Sequence, residues 1–225
     1  MYVIVAGGGI VGRNITKQLN KNHDIVVIDS NREACEHIYS KYGAVSIHGS
    51  ATNINVVKDA GIETCDYALA VMPRDEDNLL FALLAKNFGV KHIFVRMRDP
   101  DYEEAYKLAG ATNIGRTVQM MVKKFVWDID NPEIRRVASL RGGKAEVSIV
   151  TIPDNSRISG MTVSDIVAGG KFPQNCLIAG IFDQEKDELI IPRGHTQIIS
   201  GNQVFLIANR DDVAKAFEIL RKKKT

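Results

Sequence analysis

Three glycines near the start of the chain have the spacing of a phosphate-binding turn. Gly7, Gly9 and Gly12 form the pattern G-x-G-x-x-G directly after a short apolar run, and a helical pattern follows. In such a turn the first glycine permits a tight bend, the second lets the backbone approach a phosphate, and the third lets helix and strand pack closely. Amide groups at the helix start, together with the helix dipole, favour an anion. The predicted chemistry is therefore the binding of a nucleotide's phosphates.

Asp29 is the predicted partner of the ribose. It ends the second apolar run, 17 residues after Gly12, where an acidic residue accepts hydrogen bonds from ribose hydroxyls. The same carboxylate would repel a 2′-phosphate, so NADP is disfavoured as a ligand. The structural alternative is a glycine-rich turn in which Asp29 merely caps the helix that Ser30 and Asn31 begin.

The ends of later strands are expected to face the same crevice, because ligands of parallel sheets bind outside the carboxyl ends of the strands. Ser50 and Ala51 follow the third predicted strand and are small enough to leave room for an adenine. The backbone at Val71 and Met72, after the fourth strand, is expected to line the ribose.

Arg96, at the end of the fifth predicted strand, is expected to reach a phosphate. The alternative is a surface ion pair with Asp99 or Asp101. Arg74 is followed by the acidic residues 75–77, which favours a solvated charged loop over a ligand contact.

Signs of catalysis or of metal binding are weak. Among the histidines only His48 lies at the productive edge of the predicted sheet, and the sequence suggests no carboxylate to orient it. Metal-ligand clusters and Cys-x-x-Cys pairs are absent, and the three cysteines are far apart. These features favour a protein that is not an enzyme and holds no metal. A small NAD-dependent oxidoreductase, and a nucleotide-binding scaffold or transcriptional regulator, are the alternatives.

The elements that position these residues alternate in type over the first half of the chain. Short apolar runs, typical of strands buried on both faces, alternate with helical patterns. This predicts an α/β fold, a Rossmann-like doubly wound parallel sheet. The predicted strands are 2–6, 24–28, 44–48, 67–71, 92–96 and 113–114, and the predicted helices are 11–19, 32–41, 53–60, 77–88 and 100–108.

The pattern then changes, which predicts a second domain. A helix is expected over 118–128, Asn131-Pro132 interrupts it, a short helix is expected over 133–140, and 141–144 reads as a turn. Hairpin patterns and two helices follow, so a small α+β domain is predicted. The boundary is expected between Ile129 and Gly143. The predicted organisation is a nucleotide-binding domain over 1–116, a helix and linker over 117–141, and the C-terminal domain over 142–225.

Composition excludes some classes of function. The net charge of +2 gives no sign of a nucleic-acid partner. No apolar stretch approaches the roughly 20 residues needed to span a bilayer, so any membrane role is expected to run through a partner. Neither a signal peptide nor a disulfide framework is indicated, and cysteine usage fits a reducing cytoplasm.

Several segments together resemble the RCK (KTN, TrkA-type) regulatory subunits of bacterial Trk and Ktr potassium uptake systems. In the first half these are VIVAGGGIVGRNI, VVIDSN, HGSAT, DEDNLLFALLAK and VRMRDPDY. The later segments AEVSIVTIPDNSRISGMTVSDI and IPRGHTQIISGNQVFLIANRDD resemble the family's C-terminal domain. The resemblance covers almost the whole chain.

The resemblance implies a cytoplasmic regulator, peripheral on the inner face of the membrane. It implies dimers and a ring, usually of eight nucleotide domains, beneath a potassium channel or transporter subunit of the TrkH/KtrB type. NAD(H), ATP, ADP or AMP would bind in the Rossmann crevice and gate the pore, and the helix around 118–128 would cross between protomers. The binding residues that it implies, with Ser30 beside Asp29, are Gly7, Gly8, Gly9, Ile10, Val11, Asp29, Ser30, Ser50, Ala51, Val71, Met72 and Arg96.

Two departures from the family pattern bear on the ligand. Ser50 stands where members often have Asp, which puts one polar contact on the adenine side in doubt. Ile10 and Val11 stand where members known for ATP responses often have Arg. One fewer cation for a γ-phosphate gives NAD(H), ADP and AMP more weight, although Arg13 and Arg32 are near enough to compensate.

Overall fold

A computed structural model describes residues 1–140 and 144–223. These residues form two compact units, 1–122 and 123–225, which are described separately. The division falls inside the segment 117–141 that the sequence assigned to a helix and linker. The predicted boundary at 141/142 and most of the predicted turn at 141–144 lie outside the described residues.

The first unit is a six-stranded parallel sheet flanked by helices. Its strand order is β3-β2-β1-β4-β5-β6, the doubly wound order in which a crevice opens beside the first strand. The strands are β1 (Tyr2–Ala6), β2 (Asp24–Asp29), β3 (Val45–His48), β4 (Tyr67–Ala70), β5 (His92–Met97) and β6 (Asn113–Arg116). The helices are α1 (Ile10–Leu19), α2 (Arg32–Tyr42), α3 (Ile54–Asp59), α4 (Asp75–Asn87), α5 (Glu103–Leu108) and the first part of α6 (Thr117–Asp130).

Both faces of this sheet are covered, which explains its continuous apolar strands. Ile4 and Ala6 of β1 belong to a core that includes Phe81 of α4 and Tyr106 of α5. The alternate residues of β1 belong to a second core with Ile38 of α2. Because all strands run parallel, their carboxyl ends meet at one edge of the sheet, where the predicted site residues are located.

The second unit contains a five-stranded antiparallel sheet of order β10-β9-β11-β8-β7, with helices packed on one face. Its strands are β7 (Ile134–Leu140), β8 (Ala145–Thr151), β9 (Leu177–Asp183), β10 (Glu188–Ile190) and β11 (Gln203–Ala208). Its helices are the end of α6, α7 (Val163–Ala168) and α8 (Arg210–Leu220). The predicted α+β class is confirmed.

The short helix predicted over 133–140 is wrong, because this segment is strand β7. It pairs antiparallel with β8, from Ile134 opposite Val150 to Leu140 opposite Ala145. Apolar residues at 134, 137 and 140 imitate the spacing of a helix face. In the strand, the register shifts between Arg136 and Ala138, so Val137 has no paired residue on β8 and is exposed.

Within residues 1–140 and 144–223, the helices are all too short or too polar to span a bilayer.

Candidate nucleotide-binding site

A cavity of about 520 Å³ lies at the carboxyl edge of the first unit's sheet. Eleven of the twelve predicted site residues line it: Gly7, Gly9, Ile10, Val11, Asp29, Ser30, Ser50, Ala51, Val71, Met72 and Arg96. Gly8, the twelfth, contacts Asp29 through its backbone. The lining residues that the prediction did not include are Ile28, Gly49, Thr52, Pro73 and Asp77.

The three motif glycines are required for different steric reasons. Gly7 has φ +107°, and a Cβ there would lie 3.1 Å from the Met72 nitrogen. A Cβ at Gly12 would lie 1.8 Å from the carbonyl oxygen of Gly7. A Cβ at Gly9 would meet no protein atom within 4 Å. Glycine at positions 7 and 12 is therefore needed to form the turn. Glycine at position 9 is not needed for the turn, and it leaves open the space beside the cavity.

The turn leads directly into α1, whose start forms part of the cavity wall. Gly9 is the N-cap residue and has no side chain to occupy the free amides of the first turn. Ile10 and Val11, the first two residues of α1, line the cavity. A helix start exposed in this way is suited to a phosphate group.

Asp29 ends β2 and is held by two backbone amides. Its Oδ2 accepts a hydrogen bond from the Gly8 amide at 2.6 Å, and its Oδ1 accepts one from the Asn31 amide at 2.7 Å. An ionised carboxylate has about four acceptor positions, so both oxygens retain capacity for ribose hydroxyls. The two expected roles of Asp29, contact with a ribose and support of the helix start, are compatible. Asp29 accepts from the amide of Asn31, the N-cap residue of α2, and also lines the cavity.

The wall formed after β3 is small and polar. The Ser50 and Thr52 hydroxyls lie 2.7 Å apart, and Ser50 Oγ also accepts from the Thr52 amide at 3.2 Å. Ala51 is buried beside them. His48 Nε2 lies 3.0 Å from the carbonyl oxygen of Ser30, so its ring contacts the backbone and not a carboxylate. This contact gives His48 no catalytic partner.

Arg96 of β5 contributes a cation to the lining of the cavity. Across the described ranges 1–140 and 144–223 it forms no ion pair, so the alternative partners Asp99 and Asp101 are not engaged. Its Nε is buried and has no hydrogen-bond partner in the described protein. Because Arg96 lines the cavity and its charge is not neutralised by an ion pair within the described ranges, its guanidinium is available to an anion bound there.

Two buried polar residues near the cavity were not anticipated. Asp75, which the sequence placed in a solvated loop, is only 7% exposed, whereas Arg74 is exposed as expected. The Asp75 carboxylate accepts from the amides of Arg98 and Asp99 and from the Tyr106 hydroxyl. Burial of Tyr106, together with this contact, raises the pKa of its hydroxyl.

Asn78, three residues after Asp75, is only 1% exposed. Its amide contacts the backbone of Met72 and of Arg96. The sequence offered one signal for both residues: a separation of three places them on the same face of α4.

The arrangement can bind a ribose and its phosphates. In the part of the chain that the structure describes, no three His, Cys, Asp or Glu residues come together as a metal site. The three cysteines are free, and burial raises the pKa of the Cys65 thiol to about 11.

Comparison with known families agrees with this geometry. The TrkA-N domain model matches residues 3–116, and the TrkA-C domain model matches residues 147–221. The chain belongs to the TrkA family. The predicted resemblance is confirmed, and the cavity lies within the TrkA-N domain.

Two curated relatives align with nearly all of this chain. A Trk system potassium uptake protein TrkA homolog from Archaeoglobus fulgidus is 31% identical over 218 residues, which are 95% of this chain and 48% of that protein. One from Methanothermobacter thermautotrophicus is 29% identical over 220 residues, 96% of this chain and 97% of that protein. The chain therefore spans about half the length of the first relative and nearly all of the second.

Solved structures support the fold. The GsuK RCK domain aligns with 99% of this chain and 48% of that chain, with a TM-score of 0.63 and 16% identity. A structure titled GsuK channel bound to NAD aligns with 99% of this chain and 40% of that chain, also with a TM-score of 0.63. At this identity the likeness shows the Rossmann-like and RCK fold alone. None of these names describes an enzyme, which agrees with the expected non-catalytic role.

The second unit contains a cation–π cluster around buried Trp127. Trp127, near the end of α6, lies between the guanidinium groups of Arg136 and Arg210, at 4.5 and 5.0 Å from the ring centre. Its Nε1 donates to the Ile134 carbonyl at 3.2 Å. Arg136 also forms an ion pair with buried Glu146. These contacts attach the end of α6 to the sheet of the TrkA-C unit.

Proposed function

We propose that this protein is a nucleotide-sensing regulatory subunit of a potassium uptake system. In this function it binds an adenine nucleotide in the TrkA-N cavity and couples occupancy to a membrane pore subunit of the TrkH/KtrB type. It acts on the cytoplasmic side, peripheral to the membrane through that partner. Membership of the TrkA family and the names of the relatives support this role.

The main support for the proposal is the hydrogen bond between Asp29 and the glycine turn. The Gly8 amide donates to Asp29 Oδ2 at 2.6 Å, so the predicted ribose acceptor and the predicted phosphate turn are parts of one rigid unit. Arg96, which forms no ion pair within residues 1–140 and 144–223, lines the same cavity. A ribose and a phosphate joined in one molecule fit these two features together.

NAD(H), ATP, ADP and AMP share the adenosine and the phosphate that this cavity is suited to hold. The Asp29 carboxylate disfavours NADP, because a 2′-phosphate would meet a negative charge. Ile10 and Val11 line the phosphate end without supplying a cation, so NAD(H), ADP and AMP are favoured over ATP. The structure titled GsuK channel bound to NAD supports the same class of ligand.

Coupling can begin at Arg96, because the strand paired with it leads to α6. Arg96 pairs with Gly115 of β6, and β6 continues directly into α6. The Thr117 hydroxyl at the start of α6 donates to the Met97 carbonyl at 3.2 Å. A ligand that binds two arrangements of this strand end with different affinity shifts their populations, and a difference of a few kcal/mol is enough.

Self-association is expected through α6. Its apolar side chains are largely exposed: Val118, Met120, Met121, Val122, Phe125, Val126 and Ile129. Such a contiguous apolar surface is typical of a protein–protein interface. We propose that α6 forms dimers, and that dimers assemble into an octameric ring. No nucleic-acid partner is proposed, since the net charge is only +2.

A thermal-shift titration tests the nucleotide site. NAD, NADH, ATP, ADP, AMP and NADP would each be titrated into the wild type and into Asp29→Ala. We expect stabilisation by at least one of the first five, little by NADP, and loss of the shift in Asp29→Ala. Asp59→Ala removes an exposed carboxylate of α3 outside the cavity and should behave as the wild type. Absence of any shift, or an unchanged shift in Asp29→Ala, would contradict the proposed site.

A further inference from the structure

Asn78 is buried, and its side-chain amide uses all of its polar atoms on the backbone. Its Oδ1 accepts from the Met72 amide at 2.9 Å. Its Nδ2 donates to the Met72 carbonyl at 3.1 Å and to the Arg96 carbonyl at 3.2 Å. One side chain thus contacts the backbone of two residues that line the cavity.

These contacts lie where two neighbouring strands separate. The pairing of β4 with β5 ends at Ala70 opposite Val95. Beyond that point the chain stays with β1, since the Val71 amide donates to the Ala6 carbonyl at 2.9 Å. Met72 therefore has no partner strand on its β5 side, and the Asn78 amide takes the place of one. A carboxamide can do this because, like a peptide group, it carries both a donor and an acceptor.

Fixing Met72 also fixes the glycine turn. The Met72 backbone lies so close to Gly7 that a Cβ on Gly7 would be 3.1 Å from the Met72 nitrogen and 3.2 Å from its Cα. Any shift of Met72 therefore changes the space available to the turn. Asn78 therefore holds the backbone at two places beside the predicted phosphate site. One is Met72, which lies against Gly7, and the other is Arg96 of β5.

We propose that Asn78 is a positioning residue for the phosphates of the bound nucleotide. It contacts no ligand itself, and it acts through Met72 and Arg96. The inference rests on the proposed nucleotide site and adds to it a residue outside the cavity lining. Its effect should grow with the number of phosphates, because adenosine depends on the Asp29 side of the cavity and a diphosphate depends also on the glycine turn and Arg96.

Calorimetric titration of ADP and of adenosine separates positioning from general stability. The substitution Asn78→Leu keeps the branching and the number of side-chain heavy atoms of asparagine and leaves no hydrogen-bonding atom. We expect it to weaken ADP binding about tenfold or more and adenosine binding less than about threefold, since all three backbone hydrogen bonds of Asn78 are lost at the phosphate end. Asn78→Ser leaves room for a water molecule and is the second variant to test if Asn78→Leu does not fold. It too is expected to weaken ADP binding more than adenosine binding.

Asp75→Asn is the matched control. Asp75 is buried at the start of the same helix, but its partners are Arg98, Asp99 and Tyr106, and it does not line the cavity. We expect this variant to lose stability and to keep the wild-type ratio of ADP to adenosine affinity. The inference is wrong if a folded Asn78 variant keeps wild-type ADP affinity, if it weakens both ligands equally, or if Asp75→Asn changes the ratio as much. A wild type that binds neither ligand contradicts the proposed function instead.

Discussion

Gly12 lies against the carbonyl oxygen of Gly7, at a distance where a Cβ on Gly12 would be 1.8 Å from that oxygen. Gly12 is in α1, where alanine would ordinarily favour the helix by about 1 kcal/mol. The clash is with backbone and cannot be relieved by a rotamer change. Overpacking of this kind typically costs about 1–3 kcal/mol or more, which outweighs the gain in helix propensity. We expect Gly12→Ala to lower the free energy of unfolding, measured by chemical denaturation.

Gly9→Ala provides the contrast, because the space around Gly9 is free of protein atoms within 4 Å. We expect it to fold with wild-type stability and to bind nucleotide at least about tenfold more weakly, since its methyl group would occupy space near the phosphates. Calorimetric titration and denaturation of the two variants would measure this. Equal behaviour of Gly9→Ala and Gly12→Ala would contradict the separate roles assigned to the two glycines.

Discrimination between NAD and NADP should depend on the charge of Asp29. In Asp29→Asn the repulsion of a 2′-phosphate is removed and a charged acceptor for the ribose is lost. Hydrogen bonds to charged groups contribute about 1.5–3 kcal/mol, so the NAD-to-NADP affinity ratio should fall about tenfold or more. Asp77→Asn removes another carboxylate that lines the cavity and should leave the ratio unchanged. If Asp29→Asn keeps the wild-type ratio of NAD affinity to NADP affinity, the ribose does not bind at Asp29.

The ion pair between Glu103 and Arg116 predicts a pH dependence of stability. Hydrogen bonds from Arg116 and then Lys107 lower the pKa of Glu103 to about 2, from an ordinary value of 4.5. A lowered carboxyl pKa stabilises the fold above the unfolded-state value, and this stabilisation is lost as the pH falls from about 4.5 towards 2. The denaturation midpoints of wild type and Glu103→Gln should therefore differ at pH 7 and converge as the pH falls through this window.

Glu104→Gln is the control for this pH dependence. Glu104 is 81% exposed, and among residues 1–140 and 144–223 it pairs with Lys107 alone, so its contribution should be near zero at every pH. A difference between wild type and Glu103→Gln that stays constant from pH 7 to pH 3 would show that Glu103 acts by packing and not by charge.

Self-association should depend on the exposed side of α6. Phe125 is 56% exposed, and an aspartate there would place a charge in the proposed interface. Central interface residues often contribute 2 kcal/mol or more, so Phe125→Asp should raise the dimer dissociation constant about thirtyfold or more. Sedimentation equilibrium would measure it. Leu108→Asp alters another exposed apolar residue, in α5, and should keep the wild-type assembly state. A wild type that is monomeric at micromolar concentration contradicts the ring.

The sequence predicted the first unit well because its signals are local. Each buried strand is a short apolar run, and the residues after it fall at the carboxyl edge by topology alone. Strand β7 could not be predicted in this way. Its conformation depends on pairing with β8 through a shifted register, and its apolar spacing imitates a helix until that partner is known.

Asp75 and Asn78 show the same limit at the site. In sequence Asp75 belongs to the acidic run 75–77, whose charge suggests a solvated loop, and Asn78 is the second residue of the helix predicted over 77–88. Their burial follows from the strand ends they bind, more than twenty residues away for Arg98 and eighteen for Arg96. Local composition carries no information about such partners, so the residues that line the cavity were predictable and the buried residues that hold them were not.

The two amides that hold Asp29 have a thermodynamic consequence. The Gly8 and Asn31 amides both belong to the chain's own backbone, so folding alone determines the rotamer of the carboxylate. Ordering a free side chain at a binding site costs about 0.5–1.5 kcal/mol for a residue rich in rotamers. Here the carboxylate loses its rotational entropy when the chain folds, and not when a ribose binds. The acceptor therefore already points in a fixed direction before the ligand arrives.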